Sequence, residues 1–271
     1  MHYRSLELCK TQTLTGGLDY DKTLSLSSQA RSDLQWVIEN ITQWNGRLFQ
    51  VPKIYMYIGS DASLIGWGAV SGSLSASGRW SQSESKHHIN YLELLASFHG
   101  LQCFVSNSRS IHVRRAVDNS TAVAYINNMG GVRSPLLDSL SRSIWEWCKL
   151  RDVFISAQHI PGKVNTQADT LSREISSNLE WSLNGEVFQK IISRTFIPEI
   201  DLFAPLRLNA KTAKFISWHP QPGAVGIDAF SLSAGLMNCY AFPPFSLLPQ
   251  VLVKIRHDKA LVLLIAPVWP T

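Results

Sequence analysis

The chain has 271 residues, 45% of them hydrophobic and 17% charged, with a formal net charge of +5. That apolar share is enough for a sizeable core and excludes a chain that is disordered throughout. The first dozen residues mix His, Arg, Glu and Lys with no apolar stretch behind them, and the longest apolar run, Ala260 to Trp269, is about half of what a bilayer span needs. A soluble intracellular protein with no membrane partner is the expectation.

In chain order, three stretches emerge, with no internal repeat. Residues 1–51 hold one clear helix, capped by Ser28, with Leu34, Val37, Ile38 and Ile41 at helical spacing and Asn45-Gly46 as its end. This piece is too small to stand alone. Residues 52–176 read strand, hairpin, helix, strand, helix, helix, strand, helix, which is an α/β order. Ile54 to Ile58 is continuously apolar, as expected of a central strand buried on both faces, and Gly66 to Val70 with Ser73 to Trp80 forms a hairpin. A helix from Asn90 to Val105 follows, then a half-buried strand from Ile111 to Val117 and a short helix from Ser120 to Asn128. Ser134-Pro135 opens a helix to Leu150, Val153 to His159 is a strand, and Asn165 to Ser176 is the last helix. Residues 177–271 turn proline-rich, with a helix near Leu248 to Asp258 and a strand from Leu261 to Ala266. The chain stops at Thr271 without a terminating signal, so it reads as cut from a larger product.

The cysteines, Cys9, Cys103, Cys148 and Cys239, are too scattered for a zinc motif and read as buried free thiols. The acids of the second stretch are more informative. Asp61 follows the first strand, Glu93 lies in the first turn of the first helix, Asp118 ends the fourth strand and Asp169 enters the last helix. Carboxylates at such positions are costly to desolvate without a cationic partner, and a hard divalent ion is the economical one. Glu93 shares a helix face with Ala96, Ser97 and Gly100, small residues that let the helix lie close to the sheet. Each acid alone reads as a solvated strand-end or cap carboxylate; four together do not.

The set Ser60-Asp61-Ala62-Ser63, Leu92-Glu93-Leu94, Val117-Asp118-Asn119-Ser120 and His159-Ile160-Pro161-Gly162, then Asn165 to Asp169, resembles the ribonuclease H domain of retroelement reverse transcriptases. The phrases Trp67-Gly68-Ala69, His88 to Leu94 and Ala168 to Arg173 are similar to the DIRS class, which pairs this module with a tyrosine recombinase. The resemblance implies a ribonuclease H-like mixed five-stranded sheet with helices on both faces. It makes Asp61, Glu93, Asp118 and Asp169 the ligands of two Mg²⁺ ions, with Mn²⁺ as the alternative. His159, ten residues before Asp169, takes the place of the histidine that assists product release. It also implies two-metal hydrolysis of the RNA strand of an RNA/DNA hybrid, the RNA being selected through its 2′-hydroxyls.

Ser63, Asn119 and Asn165 are candidate sugar or phosphate contacts. Residues 52–176 hold 12 Lys and Arg against 9 Asp and Glu, or against 5 without the four candidate ligands, so the surroundings of the site are basic. Arg133, Arg142, Lys149, Arg151 and Lys163 are candidate phosphate contacts, although such residues also make ordinary solvated faces. Adjacent His87-His88 reads as surface loop. Trp67, Trp145, Trp147 and Trp181 read as core rather than base-stacking platforms.

Around Tyr20-Asp21 and Trp44-Asn45-Gly46 the first stretch is similar to the segment joining polymerase to ribonuclease H, but no Tyr-x-Asp-Asp motif occurs, so the chain should not synthesise DNA. The missing polymerase portion would be its partner. Asp201 to Ala204, Asp228-Ala229-Phe230 and Ala241 to Phe245 resemble the region after ribonuclease H in DIRS elements and, distantly, Dam-like adenine methyltransferases. Phe242 stands where that catalytic loop has a polar acceptor, so methyl transfer is not expected. Two rival readings stay open: a non-catalytic nucleic-acid-binding scaffold, and a surviving methyltransferase in the tail.

Overall fold

A computed structural model of the chain describes residues 3–15, 19, 21, 23–44, 53–173, 182–235 and 237–268. Asn45-Gly46, Tyr20, Trp181, the 51/52 and 176/177 boundaries and the last residues assigned to the helix after Asn165 lie outside them. Among the described residues no helix is long and apolar enough to cross a membrane.

Two helices come first, α1 (Arg4–Leu14) and α2 (Ser28–Trp44). Ser27 rather than Ser28 caps α2, its Oγ accepting from Ala30 N at 3.1 Å. The face that α2 buries is also not the apolar stripe. Ala30 and Asp33 are buried, whereas Ile38 is 71% exposed. Asp33 accepts from Ser5 Oγ on α1 at 2.5 Å and from Nη1 and Nη2 of Arg142 at 2.7 and 3.2 Å. α2 therefore docks through an ion pair on the helix that carries Arg142, and α1 joins it through the Ser5 hydroxyl.

The central unit runs β1 (Ile54–Ala62), β2 (Gly66–Ser71), β3 (Leu74–Arg79), α3 (Ile89–Phe104), β4 (Ile111–Val117), α4 (Ser120–Asn127), α5 (Pro135–Lys149), β5 (Val153–His159) and α6 (Thr166–Arg173). Strand order is β3-β2-β1-β4-β5, with β1, β2 and β3 antiparallel and β1, β4 and β5 parallel, the mixed five-stranded sheet expected. Gly72, at φ +58°, makes the β2–β3 turn that most side chains resist. Asn119 and Ser134 cap α4 and α5 through their side chains, with Pro135 opening α5. Trp67, Leu92, Leu94, Val113, Val117 and Ile155 are buried in the core, as are Trp145 and Cys148. All four cysteines are free.

Two sequence expectations need correction. β1 extends through Asp61 to Ala62, so the acid lies inside the strand. Nor is β1 covered on both faces, since Tyr55 and Tyr57 are 71% and 59% exposed.

Helices do occupy both faces of the sheet. Gly68 and Ala69 are consecutive on β2 and so face opposite sides. A Cβ at Gly100 of α3 would lie 3.1 Å from Ala69 Cβ, whereas one at Gly68 would lie 2.5 Å from the carbonyl oxygen of Ala168 on α6. Gly68→Ala is accordingly expected to cost about 1–3 kcal/mol through overpacking and to push α6 outward. A urea midpoint equal to that of the parent chain would contradict this.

A second, all-parallel sheet follows. After α7 (Gly185–Ile192) come β6 (Ile200–Asp201), β7 (Lys214–Ser217), β8 (Gly226–Ile227), β9 (Asn238–Ala241), α8 (Leu248–Asp258) and β10 (Leu261–Leu264), in the order β10-β9-β6-β7-β8. Its own core contains Ile200, Phe203, Ile216, Cys239 and Val251. Arg207 pairs with Glu84 at 2.9 Å, and Gln221 Nε2 donates to Ser77 O at 3.0 Å. These contacts join this region to the β3 side of the first sheet.

Candidate metal centre

Asp61 lies near the C-terminal end of β1, opposite Gly68, and Asp118 directly follows β4. Because β4 is the parallel neighbour of β1, both acids arrive at the same end of the sheet. Glu93 reaches them from α3, whose inner face buries Glu93, Ala96, Ser97 and Gly100. The helix begins at Ile89, which places Glu93 at the start of the second turn rather than in the first. One carboxylate oxygen from each of Asp61, Glu93 and Asp118 lies within 4.8 Å of the other two.

Burial pushes the Asp61 carboxyl up to about 6 against a hydrogen bond from Ser172, with Asp118 and Asp169 adding to the rise. Burial, then Asp61 and Asp118, push Glu93 up to about 9. Glu93 Oε2 is buried without a hydrogen-bond partner. Crowded carboxylates with an orphaned buried oxygen, and no Lys or Arg bonded to the three among the described residues, have the donor chemistry that hard divalent cations require. The residues present fit such an ion.

Asp169 stands outside the trio. It is partly exposed and its Oδ1 accepts from Arg173 Nε at 2.7 Å, yet its charge reaches Asp61 and Glu93. His159 ends β5 beside Val117, exposed, with Nε2 at 2.9 Å from the backbone oxygen of Asp118. Gly162 abuts the same acid, a Cβ there falling 3.1 Å from Asp118 Oδ2.

The other candidates divide. Lys163, beside Gly162, and Arg133 are exposed. Arg142 is taken up by Asp33, and Lys149 Nζ lies 4.3 Å from the ring centroid of Trp36 on α2. Arg151 stacks over Trp147 at 4.1 Å. Asn119 caps α4 and donates to Asn90 Oδ1 at 2.9 Å. Asn165 is buried, donating to Ser60 O at 2.9 Å. Ser63 Oγ donates to Ser172 O at 2.6 Å and accepts from Ile65 N and Gly66 N. Three of the polar candidates therefore serve the fold around the site. His88 does too, its Nδ1 accepting from Asn90 N at the start of α3.

Ser172 also touches the trio, through Asp61; in the sequence it is singled out only as part of the phrase Ala168 to Arg173 and by its spacing, three residues after Asp169 on one helix.

Residues 75–175 match the family model described as reverse transcriptase-like, a span that contains Glu93, Asp118, His159 and Asp169 but begins after Asp61. No curated protein matches. Among solved structures, the chain is similar to the RNase H1 of the halophilic archaeon Halobacterium salinarum, at 19% identity and a TM-score of 0.37, covering 44% of this chain and 95% of that one. It is similar to LC11-RNase H1 in complex with RNA/DNA hybrid, at 20% identity and a TM-score of 0.36, covering 43% and 92%. It is also similar to the foamy viral protease-reverse transcriptase in complex with RNA/DNA hybrid, at 15% identity and a TM-score of 0.33, covering 56% and 27%.

Proposed function

We propose that the unit built on β1 to β5 is a retroelement-derived ribonuclease H that hydrolyses the RNA strand of RNA/DNA hybrids in a Mg²⁺-dependent or Mn²⁺-dependent reaction. One observation carries the reading: Asp61, Glu93 and Asp118 meet within 4.8 Å, with Glu93 Oε2 buried and unpaired. The reverse transcriptase-like match over 75–175 agrees with it.

When bound, divalent ions supply an activated water and stabilisation of the leaving oxygen. The chain's own residues do the rest. The three carboxylates hold the ions, and Asp169 adds charge from the rim. With Nε2–H donated to the Asp118 carbonyl, the exposed His159 ring is held beside the acid trio. Exposed Lys163 and Arg133 are the candidates for phosphate contacts.

The DIRS assignment and a polymerase portion as partner rest on the sequence phrases quoted above and belong to this proposal. For the second sheet we propose no methyl transfer, because Phe242 offers no acceptor to an amino group.

The test incubates the full chain with labelled hybrid, duplex DNA and duplex RNA, with and without Mg²⁺. Metal-dependent cutting confined to the RNA of the hybrid is expected. Hybrid binding without cutting would replace this reading with the scaffold, and S-adenosylmethionine binding would restore the methyltransferase.

A further inference from the structure

Ser172 lies on α6, one turn beyond Asp169, fully buried. Its Oγ is 2.6 Å from Asp61 Oδ2 and 2.9 Å from the backbone oxygen of Asp169. A serine has one hydroxyl hydrogen, and a carboxylate outcompetes a neutral carbonyl for it. This is the one hydrogen bond to the Asp61 carboxylate among the described residues.

α6 and Asn165, the residue before it, are arranged to keep that hydroxyl in place. The Ser172 carbonyl accepts from Ser63 Oγ at 2.6 Å, and Asn165 Nδ2 donates to Ser60 O at 2.9 Å. The missing side chain of Gly68 lets the helix backbone reach β2, since a Cβ there would lie 2.6 Å from Leu171 Cβ and 2.9 Å from Ser172 N. Three contacts thus clamp α6 across the end of β1 that carries Asp61.

We infer that Ser172 is a positioning residue, its hydroxyl holding the Asp61 carboxylate in the orientation in which it meets Glu93 and Asp118 to receive a divalent cation. The inference rests on the reading of the acid trio as a cation site. A hydroxyl suits the task because it fixes a carboxylate without cancelling its charge. A lysine or arginine at the same place would compete with the cation for the acid. Hydrogen-bond partners of metal ligands are worth about 10–100-fold in metal affinity.

The test is Mn²⁺ binding by the full-length chain, read from the electron paramagnetic resonance signal of free Mn²⁺, together with the metal dependence of hybrid cutting. Ser172→Ala is expected to weaken Mn²⁺ binding about tenfold or more. It should raise the metal concentration for half-maximal cutting by a similar factor, with the rate at saturating metal recovering to near that of the parent chain. A purely structural serine predicts a lower melting temperature with Mn²⁺ affinity unchanged, and that result overturns the proposal.

If Ser172→Ala does not fold, Ser172→Cys, close in volume and a much weaker donor, decides in its place. Loosened Mn²⁺ binding supports the proposal, and parental affinity refutes it. Asp118→Asn separates the two levels of the argument. If the parent chain binds Mn²⁺ no better than Asp118→Asn, the cation site itself falls and the role of Ser172 with it. If Asp118→Asn loses binding while Ser172→Ala keeps it, only the role of Ser172 falls.

Discussion

Asp118→Asn is expected to slow hybrid cutting at least about a thousandfold, close to 4 kcal/mol of transition-state stabilisation at 1.36 kcal/mol per tenfold, while hybrid affinity stays within a few fold. The substitution is nearly isosteric, so the close approach of Gly162 to this side chain is kept. What disappears is one of three carboxyl groups whose oxygens meet within 4.8 Å. Asp61 and Glu93 cannot compensate, because burial raises both and leaves them poorer anions when no cation is present. Binding is a different matter. Affinity for hybrid comes from cationic groups against phosphates, and removing a negative charge from the site does not weaken those contacts. Single-turnover cutting at saturating Mg²⁺, with hybrid affinity measured in Ca²⁺, separates the two effects. Cutting within tenfold of the parent rate would remove Asp118 from the machinery.

How much of this the residues announced depended on whether local rules carried the fold. The opening of α5 at Ser134-Pro135, the strand pattern of β4 and the extents of α3 and α4 are local, and each element stands where its pattern put it. α1 was missed because only Ser5 and Cys9 of its residues are buried, leaving no apolar stripe to detect. The buried side of α2 was misassigned because an ion pair, Asp33 to Arg142, does the docking while Ile38 and Ile41 stay exposed. The run through Tyr55 and Tyr57 looked doubly buried because side-chain apolarity cannot report whether a helix covers that face.

The same logic applies to the site. Its acids were legible as acids at strand and helix ends, but their meeting depends on β1 and β4 being neighbours, which is a property of strand order. Arg142 and Lys149 read as phosphate contacts because a charge pattern does not disclose a partner as distant in sequence as Asp33 or Trp36. Ser172 was hidden for a related reason. A serine in a helix gains its meaning only from the strand-end carboxylate 111 positions earlier in the chain. The short strands β6 and β8, two residues each, are below the length at which any period can be read.

The metal-free chain is expected to lose stability as pH rises from 7 to 9, and Glu93→Gln to remove most of that loss. Glu93 is raised from 4.5 to about 9 in the folded protein. Between those values the folded chain holds a proton that the unfolded chain has released, so stability falls with rising pH, by at most about 1.4 kcal/mol per pH unit for one proton. Below pH 7 other groups obscure the effect. Asp61 and Asp201, each raised to about 6 chiefly by burial, act in the same direction, whereas His99, lowered by burial, acts in the opposite one. From 7 to 9 the folded-state titration of Glu93 is the largest contribution: the buried thiols of Cys103, Cys148 and Cys239 add their own loss only near and above their ordinary value of 9.0, whereas Cys9, lowered by its hydrogen bonds with Ser27, and Arg115, lowered to about 9 by burial, act in the opposite direction. The fall should be a few degrees in melting temperature, at about 2–4 °C per kcal/mol for a chain of this size. Mn²⁺ should counter it increasingly as pH rises, since cation and proton compete for the same carboxylates. Glu93→Gln carries neither the proton nor the charge, so its metal-free melting temperature should stay nearly flat across the window and respond little to Mn²⁺. Parallel melting curves for Glu93→Gln and the parent chain from pH 7 to 9, with and without Mn²⁺, would show that Glu93 is neither strained by its neighbours nor part of a cation site.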